Sequence, residues 1–345
     1  MTKKNKALLS LLLSFSFLFS CTAKKGKISL FVYDKNDTFI SSLTEKLSTK
    51  LTEKKLDYEI YDSNRSQMQQ NKDIVDSIDK NNTSLLLVNL VDRLSAYTTM
   101  EKAIQKDVPV VFFNREPLKS DMDKALKYST DIYFVGTNAT SEGEKQAYMA
   151  KEIFRDPQSL NPLYDHNGDN VIQAVLLKGE IGNQDTENRS LSFLSAIKRL
   201  GFKIEILDSV YCDWMRDKGY DAMKKLYEDY GDRIELVVSN NDDMALGAID
   251  SLLDQKVLRH DQEMLPFEFL GVDAIDESMP YLEEGLFYGT VKNDAEIQSD
   301  AILKLSEHLL YKEEIDDDFP YPISESHAIY IEGKAVTKNN INELK

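Results

Sequence analysis

Cysteine, histidine and positive charge are all scarce in this chain of 345 residues, and each scarcity closes off a class of protein. Two cysteines, Cys21 and Cys212, do not make a disulfide framework, so the fold must rest on its core. Four histidines, His166, His260, His308 and His327, stand at no metal-ligand spacing. There is no G-x-S-x-G elbow and no P-loop, and Gly179-Glu180-Ile181-Gly182 is too sparse to cradle a phosphate. Low-complexity tracts and short solenoid-type repeats are missing too. Against 59 Asp and Glu stand 42 Lys and Arg, a formal net charge of −17. That balance repels a phosphate backbone and argues against nucleic acid, while it suits solubility and cation binding. Paired carboxylates occur all along so acidic a chain, so composition alone leaves a glycosidase open, but no motif favours one.

Long apolar runs are lacking as well, with one exception. Ala7 to Ser20 is apolar and follows Lys3, Lys4 and Lys6, the form of an export signal and too short for a stable membrane span. Leu18-Phe19-Ser20-Cys21 then has the form of a lipobox, although Phe19 is bulky where a small residue is usual. The reading is a signal peptide over residues 1–20, a lipidated Cys21, and a tether to residue 26. The product is then exported and lipid-anchored at the cell envelope, in the periplasm or on the outer face of the plasma membrane. The segment carries three lysines and no acid, so its removal takes the net charge from −17 to −20. Cys212 is then left without a partner. The remaining length is ample for two domains with their own cores.

What is present is an alternation of strands and helices. Ile28–Tyr33, Tyr58–Tyr61, Ser84–Leu90 and Val108–Phe113 read as strands, with helices from Thr38 to about Lys55, from about Arg65 to Lys80, and over about Ser95–Gln105. After Gly136 the pattern restarts with strands Val171–Leu177, Lys203–Leu207, Ile234–Val238, Phe267–Leu270 and Tyr288–Val291, and helices near 187–200, 215–229 and 242–254. Continuous apolar strands separated by helices indicate parallel sheet buried on both faces. The architecture expected is two doubly wound α/β domains in succession.

The strands end in polar groups. Tyr33, Asp37 and Phe39 follow the first, and Asn114 follows VPVVFF at 108–113. In the second half the endings are Asn183, Asp185 and Arg189; Asn241 and Asp242; Asp273; and Asn293. Ligands of open α/β sheets bind at the carboxyl ends of strands. Asp, Asn and Arg together, without a lysine cluster, suit a neutral polyol, because carboxylates and amides take adjacent hydroxyls and Arg donates to a ring oxygen. Phe39 and Trp214 offer apolar faces for sugar C–H groups. Any one of these residues alone is equally an ordinary turn or cap, Asp242 in particular, and Trp214 is as readily core or surface. The joint pattern is what points to a ligand.

Asp165-His166-Asn167-Gly168-Asp169-Asn170-Val171-Ile172-Gln173 places oxygen-bearing side chains at positions 1, 3, 5 and 9, with the Val171 carbonyl at 7. That is the first part of an EF-hand spacing, in which alternate residues turn oxygens toward a hard cation. Position 12 is Val175, inside a strand, so the closing carboxylate must come from elsewhere, and Glu235 is a candidate. The expected cofactor is a structural Ca2+; a solvated turn is the plainer alternative.

The motifs VYDKNDTF (32–39), NLVD (89–92), VPVVFFNREP (108–117), the Asp165–Gln173 loop, LLKGEIGNQDTENR (176–189), SNNDDMALGA (239–248), LGVDA (270–274) and GTVKNDA (289–295) resemble the periplasmic galactose/glucose-binding proteins of ABC sugar importers. The resemblance runs from about Ile28 to Asn293. It implies a periplasmic binding protein type I fold, D-galactose and/or D-glucose as ligand, no enzymatic activity, a membrane permease as partner, and a monomer. A sugar sensor read by a chemoreceptor or sensor kinase remains the alternative. Position by position, Tyr33, Asp37, Phe39 and Asn114 match the sugar contacts of the first domain. Asp185, Arg189, Trp214, Asn241, Asp273 and Asn293 match those of the second domain and hinge. Asn183 stands where the family has a histidine. Asp165, Asn167, Asp169, Val171, Gln173 and Glu235 match its calcium site. The implied domains are 27–136 plus 294–320 and 137–293 plus 321–345, with crossovers near Gly136–Thr137, near Asn293 and near 320–322.

Overall fold

A computed structural model describes residues 27–344, apart from 81, 82, 261, 263, 316 and 317. The export segment, the lipidation of Cys21 and the tether lie outside the described residues.

The chain opens with β1 (Lys27–Val32), α1 (Thr38–Glu53), β2 (Tyr58–Asp62), α2 (Gln67–Lys80), β3 (Thr83–Val88), α3 (Ala96–Gln105), β4 (Val110–Phe113), α4 (Lys119–Ala125) and β5 (Ile132–Thr137). Helix α1 shows why these segments fold as they do. Phe39, Ile40, Leu43, Leu47 and Leu51 recur at three- and four-residue spacing and bury one face, while the Asp37 carboxylate accepts from the Ile40 amide and caps the start. The strands alternate in a different way. Leu85, Leu87, Val111 and Phe113 pack on one side of the sheet, and Leu86, Val88, Val110 and Phe112 on the other. Both faces are therefore buried, as a parallel sheet between helices requires. Each fully buried side chain of this kind contributes about 1.5–3 kcal/mol.

The second lobe begins at α5 (Ala139–Phe154) and continues with the short hairpin β6 (Arg155–Asp156) and β7 (Ser159–Leu160), then β8 (Ile172–Lys178), α6 (Gln184–Arg199) and β9 (Ile204–Tyr211). It goes on through α7 (Arg216–Tyr230), β10 (Leu236–Ser239), α8 (Asp242–Asp254), β11 (Glu268–Leu270), α9 (Met279–Glu284) and β12 (Gly289–Lys292). The chain then returns through α10 (Ala295–Tyr311), which supplies Ala301, Ile302 and Leu305 to the first lobe's core, and ends in β13 (Ala328–Ile331) and β14 (Lys334–Thr337).

Strand order is β13-β5-β4-β3-β1-β2 in the first sheet and β14-β12-β11-β10-β8-β9 in the second. Every pairing in these two sheets is parallel except β12 with β14. The chain passes between lobes after Thr137, at Asn293–Asp294, and between Ile331 and Lys334. This corrects one expected boundary. Residues 321–345 do not belong as a block to the second lobe, and the third crossover is not at 320–322. Ala328–Ile331 pairs parallel with Phe134–Thr137 and buries Ile329 and Ile331 in the first core, so the crossing falls at 332–333.

Candidate functional site

The carboxyl ends of both sheets face one another across a cleft. Eleven residues expected from strand ends line one cavity there: Tyr33, Asp37, Phe39 and Asn114 from the first lobe, and Asn183, Asp185, Arg189, Trp214, Asn241, Asp273 and Asn293 from the second and the crossover. Ile40 and Arg115 complete the lining. Asp242 does not join them. It is fully buried, accepting from Thr290 Oγ1 at 2.6 Å and from the Ile275 amide at 3.2 Å, so it ties strand ends together, while Asn241 caps α8.

Several lining residues have one end committed to the fold and the other left for a ligand. Asp37 caps α1 through Oδ1 and accepts from the Tyr33 hydroxyl through Oδ2, and a carboxylate still has lone pairs to offer. Asn183 is the cap of α6: its Oδ1 accepts from the amides of Asp185 at 2.8 Å and Thr186 at 3.3 Å, which leaves only its amide nitrogen as donor. Asn241 accepts from the Met244 amide at 3.0 Å and donates to the Trp214 carbonyl at 3.2 Å. The capping reading and the ligand reading of these positions are thus compatible.

Arg189 is held on three sides. Its Nε donates to Glu142 Oε2 at 2.6 Å, an Nη to the Asn240 carbonyl at 2.7 Å, and its guanidinium lies 5.7 Å from the Trp214 ring. Asp185, one helical turn before it, is pushed up to about 6 by burial, with Arg189 opposing that rise. Asp273 is raised well above the ordinary carboxylate range by burial, again opposed by Arg189. Strain gathers here also. Asn114 (φ 59°), Trp214 (φ 67°) and Asp273 (φ 115°) all sit in the left-handed half of backbone space, where a non-glycine residue persists only if its surroundings hold it.

Some contributors were invisible in the sequence. Asn89, fully buried, donates to Asn114 Oδ1 at 3.0 Å and accepts from the Tyr33 amide at 3.1 Å, so it orients two lining residues. Gln298 donates to Asn293, whose own amide donates to Asp273 at 3.3 Å. Arg115 is buried over the Tyr33 ring, 3.6 Å from its centroid. Gly179 leaves the room in which Trp214 lies: a Cβ there would stand 2.2 Å from the indole. The signal for Asn89 and Arg115 was their place beside polar strand ends; Glu142 and Gln298, on helices, gave none.

The lobes touch across the cleft mouth. Glu180 meets Arg115 at 3.0 Å and Arg65 at 3.6 Å, and Gln184 donates to Glu116 at 2.6 Å. The room enclosed among the eleven residues is about 30 Å3. Ligand pockets usually start near ~300 Å3, so the lobes must part to admit a ring.

At the far end of β8 the Asp165–Gln173 loop and Glu235 come together. Glu235 accepts from the amides of His166 at 2.9 Å and Gln173 at 3.0 Å, and burial pushes its carboxyl up to about 7. Asp169 accepts from Val171 N at 2.8 Å and Gln173 Nε2 at 3.0 Å, while Asp165 Oδ1 is buried with no partner. Among the described residues no three His, Cys, Asp or Glu side chains form a metal-binding group. A site here would mix carboxylates with the amide oxygens of Asn167 and Gln173 and the Val171 carbonyl. That donor set, with one orphaned buried carboxylate oxygen, fits a hard cation. Cys212 is inert: it is fully buried, and burial pushes its thiol up to about 12.

Residues 28–314 match the family model of the periplasmic binding protein domain, and the chain belongs to that family. It is therefore an exported solute-binding protein and not an enzyme. Over 324 residues it is 29% identical to the D-galactose/methyl-galactoside binding periplasmic protein MglB of Haemophilus influenzae, covering 93% of this chain and 92% of that one. The ribose import binding protein RbsB of Bacillus subtilis is 22% identical and covers 87% of each chain. Among solved structures, an ABC transporter solute-binding protein of Bacillus halodurans with bound myo-inositol shares the fold, with a TM-score of 0.75 at 20% identity, covering 93% of this chain and 97% of that one. Another, from Actinobacillus succinogenes with bound D-allose, has a TM-score of 0.75 at 16% identity, covering 92% and 99%.

Proposed function

We propose that the chain binds D-galactose and/or D-glucose between its lobes and hands it to the permease of an ABC importer. The observation that carries this is the convergence of Asp37, Asp185, Asp273, Arg189 and the Asn114, Asn241 and Asn293 amides with Phe39 and Trp214 in one cavity. Carboxylates and amides take the hydroxyls of a neutral pyranose, and the two rings face its C–H surfaces. The MglB relative named above supports a hexose over the smaller and larger polyols of other relatives. Sugar enters an open cleft and stabilises the closed arrangement, in which Glu180, Arg115, Gln184 and Glu116 bridge the lobes. Calorimetric titration with galactose, glucose and myo-inositol tests the reading. Heat from at least one aldohexose, with myo-inositol weaker, is expected; silence from both aldohexoses overturns it.

The same reading includes a structural Ca2+. Asp165, Asn167, Asp169, Gln173 and Glu235, with the Val171 carbonyl, would hold it and relieve the buried charge of Asp165 and Glu235.

A further inference from the structure

Immediately outside the sugar cavity, toward the cleft mouth, is a second space of about 330 Å3, and the two share Arg115, Asn183 and Asp185. Its lining holds polar atoms that the fold leaves unused. Arg93 donates through one Nη to the Pro117 carbonyl at 3.2 Å, but its Nε–H is buried and without a partner. Across the space, Gln184 spends its amide nitrogen on Glu116 and keeps its Oε1 buried and unpartnered. Buried polar atoms are nearly always satisfied, so a donor and an acceptor left facing one cavity mark a place for a hydrogen-bonding group from outside the chain.

The charges say what kind of group. Arg93 and Arg115 are matched by Glu116 and Glu180, so an anion would meet two carboxylates as well as two guanidinium groups. A neutral hydroxyl, which both donates and accepts, satisfies Arg93 Nε and Gln184 Oε1 alike. At the rim, Leu94 is 68% exposed on the first lobe and Ile181 76% exposed on the second, a pair of apolar surfaces suited to the C–H face of a ring.

We propose that this space is a second subsite, which takes a hydroxyl-bearing substituent joined to the bound hexose: a glycerol moiety or a second sugar ring of a glycoside. The inference rests on the hexose reading of the inner cavity and extends its ligand class from free sugars to glycosides. When the lobes part for the ring, the shared wall of Arg115, Asn183 and Asp185 makes one continuous channel from the inner cavity to the mouth.

The test titrates the native protein with galactose, galactosylglycerol and lactose, or with glucose, glucosylglycerol and maltose where glucose binds better. Native protein is expected to bind at least one of the two glycosides within about tenfold of the free hexose. Arg93→Met, which keeps the stem and loses the donor, should weaken that glycoside by about tenfold and leave the free hexose unchanged. If both glycosides bind more than tenfold more weakly than the hexose to native protein, the subsite falls. It falls too if Arg93→Met weakens hexose and glycoside by the same factor. The comparison on native protein stands even if the variant does not fold. A silent hexose arm instead removes the reading of the inner cavity, which is a separate failure.

Discussion

Trp214 is the only tryptophan in the chain, and its place depends on a residue without a side chain. An alanine Cβ at 179 would stand 2.2 Å from the indole, too close for any rotamer adjustment to leave the ring where it is. Gly179→Ala should therefore weaken sugar binding by about 1–2 kcal/mol, approaching the ~1–3 kcal/mol of Trp214→Ala, although it removes no ligand-facing group. Tryptophan fluorescence checks both halves: the free variant should already differ in emission, and its titration should shift to higher sugar concentration. An unchanged spectrum and affinity would refute the dependence. The titration of Asp185 gives a second prediction. Its folded pKa of about 6 lies above the ordinary value of 3.8, so its contribution to stability is full below about 3.8 and lost as pH rises through 6. Sugar acts in the opposite sense, because hydroxyls donate best to the ionised carboxylate. Affinity should thus fall as pH drops from 7.5 to 5, and Asp185→Asn should flatten the part of that profile centred near 6. Strand-end residues of this kind are legible in a sequence because each interrupts an apolar run. Glu142 and Asn89 are not, since a polar residue inside an amphipathic helix or just past a strand carries no mark of the partner it will meet.

Individual helices and parallel strands were legible to within a few residues, because their apolar periodicity is long and strongly contrasted. Helix α6 begins at Gln184 rather than near 187, and the three residues matter: they place Asn183 as its cap and Asp185 in its first turn, near the positive end of the helix dipole. The terminal strands were not legible. AIYI and KAVT are four residues each with only Glu332 and Gly333 between them, too short to show a period, and nothing local says that one pairs parallel in the first sheet and the other antiparallel in the second. The Asp165–Gln173 loop was legible by spacing, and Glu235 joins it because β10 lies beside β8. Its metal is a prediction about this element alone. Chelation should lower the melting temperature and leave sugar stoichiometry unchanged, and Glu235→Gln should reproduce most of that loss in calcium-containing buffer. A melting temperature indifferent to both would leave the segment a turn.

At the scale of the whole molecule, the two lobes are joined by three strands of chain and meet again at the cleft mouth, so their closure is an equilibrium with contacts on one side only. Glu180 is the hub of those contacts, reaching Arg115 at 3.0 Å and Arg65 at 3.6 Å from the opposite lobe. The pair is partly open to water, Glu180 keeping 24% of its side-chain exposure, so its worth is about 1 kcal/mol rather than that of a buried ion pair. Loss of that contact in Glu180→Gln does not touch the lobes' own cores; it changes only the balance between open and closed forms. A ligand that binds the closed form must then supply the difference, and its apparent affinity falls by the fraction of closed form lost. The expected result is about fivefold weaker sugar binding, an unchanged melting temperature without sugar, and a larger radius of gyration in solution that returns to the native value at saturating sugar. If scattering and affinity both stay at native values, the Glu180 contacts do not hold the lobes, and closure must come from the sugar-facing residues alone.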